Sequence, residues 1–197
     1  MENYQNIKAI AFDFWDVFAP MDPPMNHYLE EHGISIKTYL DKIYEFIVSH
    51  DLGKIDERQF LQECSRIVGV EIPYDQCRYV YRDGTLNTPL IEIVKKLKAK
   101  YKIALLSNNN REYVQEYVYK PGLDKLFDIM VVSYKAGYRK PAPKIYKILV
   151  QNLGVEPHEI LFLDDDSSKL GAAEAQGLQT LVYKWGETDK ILESLIK

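Results

Sequence analysis

The sequence predicts an α/β fold: a doubly wound (Rossmann-like) parallel sheet with a small all-helical cap inserted after its first strand. Short apolar runs alternate with amphipathic, helix-like segments over most of the chain, which is typical of parallel strands joined by helical crossovers. The interval from about residue 22 to residue 86 has helical periodicity but no convincing buried strand. We therefore expect an α/β core domain of residues 1–20 and 87–197 and a helical cap domain of residues 21–86.

Five runs have the pattern of strands. They are rich in Ile, Val, Leu and Phe, and they are too short for helices. Their apolar residues are consecutive rather than alternating, as in strands that are buried on both faces. In chain order the runs are "AIAFD" from Ala9, "KIALLS" from Lys102, "DIMVVS" from Asp128, "EILFLD" from Glu159 and "TLVYKW" from Thr180.

The segments between these runs have apolar residues at helical spacing. Core helices are predicted in "PLIEIVKKLKAK" from Pro89, "REYVQEYVYK" from Arg111, "PKIYKILVQNLG" from Pro143 and "KLGAAEAQG" from Lys169. Two of them run up to Gly154 and Gly177, a residue type suited to a helix C-terminus. Cap helices are predicted in "HYLEEHG", "IKTYLDKIYEFIVSH" and "DERQFLQECSRIVG", after the proline-rich entry "APMDPPMN".

The composition limits the class of partner. A net charge of -4 and the lack of a dense Lys/Arg stripe argue against a nucleic-acid partner. We see neither a secretion signal nor a long apolar segment, so we expect a cytoplasmic protein with no membrane partner. Cys64 and Cys77 lack metal-ligand spacing and are expected to be reduced thiols. The expected partner is a small molecule, and the sequence leaves the oligomeric state open.

Polar residues follow the predicted strands at the edge where parallel sheets bind ligands. The first strand leads into Asp13, the second into "SNNN" from Ser107 and the fourth into "DDDSS" from Asp164, while Lys140 follows the third. Clustered carboxylates favour a cation between them, and Mg²⁺ prefers such oxygens together with water and phosphate. Ser, Asn and Lys are donors to phosphoryl oxygens, and an aspartate can be the nucleophile of phosphoryl transfer.

Each of these residues also has a purely structural interpretation. An aspartate at a strand end is often a turn former, "SNNN" can be a helix N-cap, and acids before "KLGAAEAQG" interact favourably with a helix dipole. Their joint occurrence at the strand ends of one α/β chain favours the functional interpretation, which is Mg²⁺-assisted phosphoryl transfer.

With these motifs in this order, the chain resembles the haloacid dehalogenase-like (HAD) hydrolase superfamily, in the subgroup with a helical cap after the first strand. The four motifs are matched at Asp13, at Ser107 with Asn108, at Lys140 within "RKPAPKIY" and at "FLDDDSS". The segments "DLGKIDERQFLQE" and "GAAEAQGLQTLVY" add to the resemblance, which covers nearly the whole chain. Most relatives hydrolyse phosphate esters, so the resemblance implies a Mg²⁺-dependent phosphatase of a small phosphorylated metabolite.

The resemblance implies a magnesium site formed by the first and fourth motifs. Asp13 would be both the nucleophile and a Mg²⁺ ligand, the backbone carbonyl of Trp15 would be a second ligand and Asp165 a third. Asp164 would support the residues around the metal. Asp166 would be either a further acid beside them or only a helix cap.

The resemblance also implies how the phosphoryl group is held. Ser107 and Asn108 would bind the transferring group, and Lys140 would neutralise the charge that the phosphate shares with Asp13. The candidate catalytic residues are therefore Asp13, Ser107 and Lys140, and the candidate substrate-binding residues are Ser107, Asn108 and Lys140.

Trp15 departs from the family pattern. Phosphatases of the superfamily usually have an aspartate at this position, which protonates the leaving oxygen and later activates water. An indole N–H donates a hydrogen bond but cannot act as a general acid or base near neutral pH. A phosphatase acting on a good leaving group is preferred, and a protein that binds a phosphorylated ligand or partner without turnover is the alternative. Dehalogenases of the family have tyrosine here but lack the adjacent acids of "DDD", so a haloacid dehalogenase ranks third.

Several other residues stay open at this stage. Asp16 has no assigned role, and Lys169 can either compensate the neighbouring acids or weaken metal binding. The four histidines lack ligand spacing and are predicted to be surface or cap residues: His27, His32, His50 and His158. Three tyrosines of the predicted cap are candidates to face a substrate: Tyr28, Tyr39 and Tyr44.

Overall fold

The computed structural model describes residue 4, residues 6–82 and residues 84–196. At its centre is a parallel sheet of five strands: β1 (Ala9–Phe12), β2 (Lys102–Ser107), β3 (Ile129–Val132), β4 (Ile160–Asp164) and β5 (Gln179–Val182). The strand order is β3-β2-β1-β4-β5. In the middle of the sheet, Phe12 of β1 pairs with Leu105 on one side and Leu163 on the other. The predicted α/β class with a doubly wound parallel sheet is confirmed.

Helices connect the strands. They are α1 (Pro24–Glu31), α2 (Leu40–Asp51), α3 (Glu57–Val68), α4 (Tyr74–Cys77), α5 (Thr88–Leu97), α6 (Arg111–Tyr113), α7 (Ser133–Ala136), α8 (Pro143–Leu153), α9 (Ser167–Glu174) and α10 (Glu187–Ile196). As predicted, α8 ends at Gly154 in the left-handed conformation, whereas α9 ends before Gly177. Within the described part of the chain, the helices are too short or too polar to cross a lipid bilayer.

The two faces of the sheet are covered by different helices, because side chains alternate in direction along each strand. Ile10 and Phe12 belong to the hydrophobic cluster that includes α5, α6 and α10. Ala9 and Ala11 belong to the opposite cluster, which includes α8 and α9. Every residue of β1 is therefore buried, and Asp13 follows the strand directly.

Between β1 and α5, the chain forms helices α1 to α4, which share a hydrophobic cluster of their own. Leu29, Ile43 and Cys64 are among its buried members. A capping box begins α3: Asp56 Oδ1 accepts the N–H of Gln59 at 2.8 Å, and Gln59 Oε1 accepts the N–H of Asp56 at 3.0 Å. A separate hydrophobic cluster is what an independent helical lobe requires. The boundaries of the cap at residues 21 and 86 stay a prediction.

The segment "REYVQEYVYK" differs from the regular helix that its spacing predicts. Asn110 caps the short helix α6 by accepting the N–H of Tyr113 at 2.9 Å, and the chain then continues as a π-helix (Val114–Tyr119). Tyr113 and Tyr117 both pack on the ring of Trp15, with centroids 5.4 Å and 5.2 Å away. The π-helical turns occur along this contact. Apolar spacing in the sequence does not distinguish such turns from α-helical ones.

Glu57, in the first turn of α3, has a buried carboxyl. It connects α3 to the segment between α4 and α5, through which the chain returns to the core. Its Oε1 accepts the backbone N–H of Tyr79 at 2.6 Å, and only 4% of the residue is exposed. Burial raises the pKa of the Glu57 carboxyl to about 7. Around neutral pH the folded state therefore carries part of the cost of ionising a buried group.

We expect Glu57→Gln to stabilise the protein above neutral pH. The folded state holds the Glu57 proton more tightly than the unfolded chain does, so the stability it contributes is complete below pH 4.5 and is lost as the pH rises through about 7. The full shift corresponds to about 3 kcal/mol. Solvent screening reduces this value, so we expect about 1–2 kcal/mol of added stability at about pH 8 and little change at about pH 4.5.

Urea unfolding at both pH values checks this expectation. Glu63→Gln, which removes the same charge from a more accessible position of α3, is the control. If the wild type and Glu57→Gln have parallel pH profiles of unfolding free energy, the expectation is wrong.

Candidate active site

The carboxyl ends of β1 and β4 bring two buried aspartates side by side. Asp13 follows β1 directly, and its N–H donates to the carbonyl of Leu163 at 2.8 Å. Asp164 is the last residue of β4, which pairs with β1. The two aspartates are 3% and 0% exposed, so each carboxylate needs a partner inside the protein.

Lys140 is that partner. Its Nζ lies 2.8 Å from Asp13 Oδ1 and 2.5 Å from Asp164 Oδ2, and the lysine is itself fully buried. Asn108 holds the backbone of Lys140: its Nδ2 donates to the Lys140 carbonyl at 2.9 Å, and its Oδ1 accepts the Lys140 N–H at 2.7 Å. The structure thus brings Asp13, Asn108 and Lys140 together, with the side-chain amide of Asn108 engaged by Lys140.

Three carboxylates of the site can offer oxygens to one metal ion. One oxygen each from Asp13, Asp164 and Asp165 lie within 4.8 Å of one another. Burial, followed by the negative charge of Asp13, raises the pKa of Asp164 to about 6, and burial also raises the pKa of Asp165. Carboxylate oxygens that repel one another in this way suit a hard cation such as Mg²⁺. The motif resemblance implied only a supporting role for Asp164, but in the structure it belongs to the same oxygen cluster.

Lys169 is a second cation beside these acids. Its Nζ lies 3.9 Å from Asp13 Oδ2, 3.6 Å from Asp164 Oδ1 and 3.7 Å from Asp166 Oδ2. Burial acts to lower the pKa of Lys169, but the surrounding carboxylates outweigh it and raise the pKa. Asp166 also caps α9, because its Oδ1 accepts the N–H of Ser168 at 2.8 Å. Lys169 therefore compensates part of the acidic charge.

Trp15 is a buried part of the framework of the site. Its Nε1 donates to Asn109 Oδ1 at 3.0 Å, and Asn109 Nδ2 lies 3.4 Å from Ser107 Oγ, to which it donates. The indole ring packs against three tyrosines with centroids 5.9, 5.4 and 5.2 Å away: Tyr79, Tyr113 and Tyr117. The ring and the N–H of Trp15 are thus both held, and they connect the turn after Asp13 to the loop of Ser107.

Asp16 shapes the turn that follows the nucleophile candidate. Its φ of 56° lies in the left-handed region, which residues other than glycine rarely adopt. Its Oδ1 accepts the N–H of Met21 at 2.9 Å, and its carbonyl accepts the indole N–H of Trp185 at 2.6 Å. These contacts assign the Asp16 side chain to the turn leading into the helical layer.

The C-terminal end of α2 brings to the site residues that the sequence motifs do not include. Asp51 Oδ2 lies 3.0 Å from Nη2 of Arg139, the residue before Lys140. Ser133 Oγ donates to the Asp51 carbonyl at 2.6 Å and accepts the N–H of Asn109 at 2.9 Å. Burial raises the pKa of the Asp51 carboxyl to about 6, although Arg139 acts to lower it. Asp51 and Arg139 are so far apart in the sequence that no motif spacing could have predicted their ion pair.

His50 differs from the other histidines. It lies in the predicted cap, but it is buried, with its Nδ1 3.2 Å from Asn110 Nδ2. Burial lowers the pKa of His50 to about 4. The remaining histidines are exposed, as expected for surface residues: His27, His32 and His158. Of the three tyrosines that could face a substrate, Tyr44 is exposed and the other two pack against the hydrophobic cluster of the helical layer.

Comparisons with known proteins indicate one family. The model of the family described as a haloacid dehalogenase-like hydrolase matches residues 7–177. The D-ribitol-5-phosphate phosphatase of Bacteroides thetaiotaomicron is 26% identical over 187 residues, which cover 88% of this chain and 90% of that protein. Acyl-CoA dehydrogenase family member 10 of Mus musculus and bifunctional epoxide hydrolase 2 of Sus scrofa are much longer, and the matches span only 14% and 26% of their lengths.

Solved structures share the fold. A protein described as a predicted HAD-like family hydrolase from Porphyromonas gingivalis has a TM-score of 0.75 at 22% identity, with 98% of both chains covered. A HAD family enzyme from Bacteroides thetaiotaomicron, solved as a magnesium complex, has a TM-score of 0.73 at 22% identity, covering 93% of this chain and 96% of that one.

We expect Lys140→Met to destabilise the fold strongly. The substitution leaves the buried carboxylates of Asp13 and Asp164 without their closest cation, and breaking a buried ion pair on one side costs about 3–5 kcal/mol. Lowering the pH should restore part of the loss. Lys140 acts to lower the pKa of Asp164, so without it Asp164 should take up a proton more readily, and a protonated Asp164 needs no cation.

Urea unfolding in EDTA at about pH 8 and about pH 5 measures the effect. Lys95→Met, which removes an exposed lysine from α5, should change the unfolding free energy by less than about 0.5 kcal/mol. If Lys140→Met loses no more unfolding free energy at about pH 8 than Lys95→Met does, Lys169 alone compensates the charges of Asp13 and Asp164.

Proposed function

We propose that this chain, which belongs to the haloacid dehalogenase-like hydrolase family, is a Mg²⁺-dependent phosphatase of small phosphorylated metabolites that forms an aspartyl-phosphate on Asp13. The observation that carries the proposal is the position of Lys140 between Asp13 and Asp164, with Asp165 beside them. The relative that aligns over 88% of the chain is named a D-ribitol-5-phosphate phosphatase, which supports a small phosphorylated substrate.

Asp13 would act as the nucleophile. One of its carboxylate oxygens bonds to phosphorus while the ester P–O bond breaks, and the leaving oxygen keeps the electron pair. Lys140 Nζ, 2.8 Å from Asp13 Oδ1, is placed to attract the negative charge that Asp13 and the phosphoryl group share. The hydroxyl of Ser107, at the end of β2, would donate to a phosphoryl oxygen.

Oxygens of Asp13 and Asp165 and the backbone carbonyl of Trp15 would hold Mg²⁺, with Asp164 supporting them. Bound there, the ion supplies positive charge close to the phosphoryl oxygens. The oxygen cluster within 4.8 Å supports a cation at this place. Asp166 would contribute negative charge nearby while it caps α9.

In the second step, water attacks phosphorus, the bond to Asp13 breaks and inorganic phosphate leaves. The proton of that water has to go to a group other than Trp15, whose indole N–H already donates to Asn109. General acid–base catalysis typically contributes about 10²–10⁴-fold. The chain should therefore favour substrates whose leaving group departs without a proton, such as anomeric sugar phosphates or acyl phosphates.

Trp15 also favours a second candidate, a protein that binds a phosphorylated ligand or partner without turnover. Its ring and N–H are both held by neighbouring residues, which leaves no proton-transfer group at that position. Haloacid dehalogenation is a less favoured candidate function, because Asp164 and Asp165 beside Asp13 repel the carboxylate of a haloacid.

We also propose that residues 21–86 are a cap lobe over the strand ends. The hydrophobic cluster of α1 to α4 supports a separate lobe. The ion pair between Asp51 and Arg139 supports contact of that lobe with the loop of Lys140.

Phosphate release from a panel of anomeric sugar phosphates, acyl phosphates and polyol phosphates tests the proposal. We expect release that needs Mg²⁺ and falls about 10³-fold or more in Asp13→Asn, because the carboxamide is a poor nucleophile. Asp41→Asn, at an exposed position of α2, should keep full activity. Binding of inorganic phosphate with Mg²⁺ but no release from any substrate would favour the non-hydrolytic candidate.

Magnesium binding is expected to depend on Asp165. Asp165→Asn removes one carboxylate of the oxygen cluster, and we expect the Mg²⁺ affinity to fall about 100-fold by titration calorimetry. Asp166→Asn removes a neighbouring charge but keeps a helix-capping side chain, so the Mg²⁺ affinity of this variant should differ only severalfold from that of the wild type. Equal losses in the two variants would mean that only the local net charge matters.

A further inference from the structure

Two lysines face the carboxylates of the candidate active site, and they are held in different ways. Lys140 is buried, and its Nζ lies 2.8 Å from Asp13 Oδ1 and 2.5 Å from Asp164 Oδ2. The side chain of Lys169 is 23% exposed, and its Nζ lies 3.6 to 3.9 Å from the carboxylate oxygens that it faces. These separations exceed the range of about 2.7–3.2 Å for an N–H···O hydrogen bond. Charge attraction therefore holds the Lys169 ammonium near the acids without fixing its position.

The two lysines face different oxygens of the same carboxylates. Lys140 pairs with Asp13 Oδ1 and Asp164 Oδ2. Lys169 Nζ lies 3.9 Å from Asp13 Oδ2 and 3.6 Å from Asp164 Oδ1. A metal ion can use these second oxygens without breaking the ion pairs of Lys140. The oxygens open to a metal ion are thus the ones that Lys169 faces.

The backbone of Lys169 is fixed, whereas its side chain is held by the acids alone. The residue lies in the first turn of α9, where the helix dipole opposes a positive charge. Its N–H donates to the Asp166 carbonyl at 3.1 Å, and its carbonyl accepts the hydroxyl of Tyr146 at 2.8 Å. The side chain is therefore the part of Lys169 that can move when the charge of the site changes.

A Mg²⁺ ion and the Lys169 ammonium are attracted by the same negative charge. Lys169 Nζ faces Asp13, Asp164 and Asp166, and its charge also favours the ionised form of Asp165. Two cations at one group of oxygens repel each other, and the repulsion is strong where little water lies between them. Either the ammonium moves away when the metal binds, or the metal binds more weakly than the carboxylates alone would allow.

We propose that Lys169 is a built-in competitor of Mg²⁺: its ammonium neutralises the oxygen cluster while no metal is bound, lowers the Mg²⁺ affinity of the site and is displaced when the ion enters. The occupancy of the site then follows the Mg²⁺ concentration instead of remaining saturated. This inference rests on the Mg²⁺ site of the proposed function. Binding of the ion alone tests it, and no turnover is needed.

Titration calorimetry with Mg²⁺ alone measures the competition. Lys169→Met removes the charge and supplies no oxygen to the ion, so we expect a Mg²⁺ affinity about 10- to 100-fold higher than that of the wild type. Lys169→Arg keeps the charge, and its Mg²⁺ affinity should stay within severalfold of the wild type. Lys147→Met removes the same charge from an exposed position of α8 and should also keep the wild-type affinity.

Urea unfolding gives a second measure of the same competition. In EDTA, Lys169→Met should be less stable than the wild type, because the acids lose a compensating charge. At one Mg²⁺ concentration, the urea midpoint of Lys169→Met should rise by more than that of the wild type, since an ion that binds the folded state more tightly stabilises it more. Equal rises in the two proteins would contradict the competition.

The lysine itself reports on its displacement in the native sequence. In ¹H–¹³C spectra, Mg²⁺ should shift the Cε resonance of Lys169, and the Cε resonance of Lys147 should stay in place. This readout does not depend on how the variants fold. If Mg²⁺ binds and the Lys169 resonance does not shift, the ammonium is not displaced and the proposal is wrong.

The outcomes separate this proposal from the proposed function. Tighter Mg²⁺ binding by Lys169→Met supports the competition, whether or not any phosphate ester is hydrolysed. An affinity equal to or lower than that of the wild type overturns the competition and leaves the Mg²⁺ site in place. If neither protein binds Mg²⁺, the metal site of the proposed function and the competition fail together.

Discussion

Two carboxylates buried at the ends of neighbouring strands are the constraint on which the rest of the site depends. The pairing of β1 with β4 places Asp13 beside Asp164, and neither could remain ionised there alone. Lys140 serves both acids and is itself removed from water. Its backbone is fixed in turn by two hydrogen bonds to Asn108, at the end of β2. Strand register, buried charge and loop conformation therefore depend on one another.

Aromatic packing organises the turn that follows Asp13. Trp15, two residues after Asp13, contacts three tyrosine rings and donates its N–H to Asn109. Two of those rings, Tyr79 and Tyr113, also line a cavity of about 280 Å³ whose wall includes apolar side chains of α1, α2 and α3. A residue that cannot act as an acid or a base near neutral pH thus joins the charged part of the site to an apolar one.

The sequence was sufficient for the sheet and for the motif residues at its edge, because both follow from local patterns. Asp13, Ser107 and Asp164 end continuous apolar runs, and buried parallel strands bring such ends together. The pairings of His50 with Asn110 and of Asp51 with Arg139 could not be predicted in this way. They depend on how α2 docks against the core, and the periodicity of α2 defines its buried side without identifying the atoms it meets.

Both tryptophans of the chain make hydrogen bonds at the turn after Asp13. Trp15 is 6% exposed and donates to Asn109, whereas Trp185 is 48% exposed and donates to the carbonyl of Asp16. Indole emission responds to hydrogen bonding and to contact with water, so the tryptophan fluorescence of this protein reports on this turn, with a shielded and a wetted component. A water-soluble quencher would reach mainly Trp185. The native chain therefore carries its own optical probe of the turn after Asp13, and no label has to be introduced.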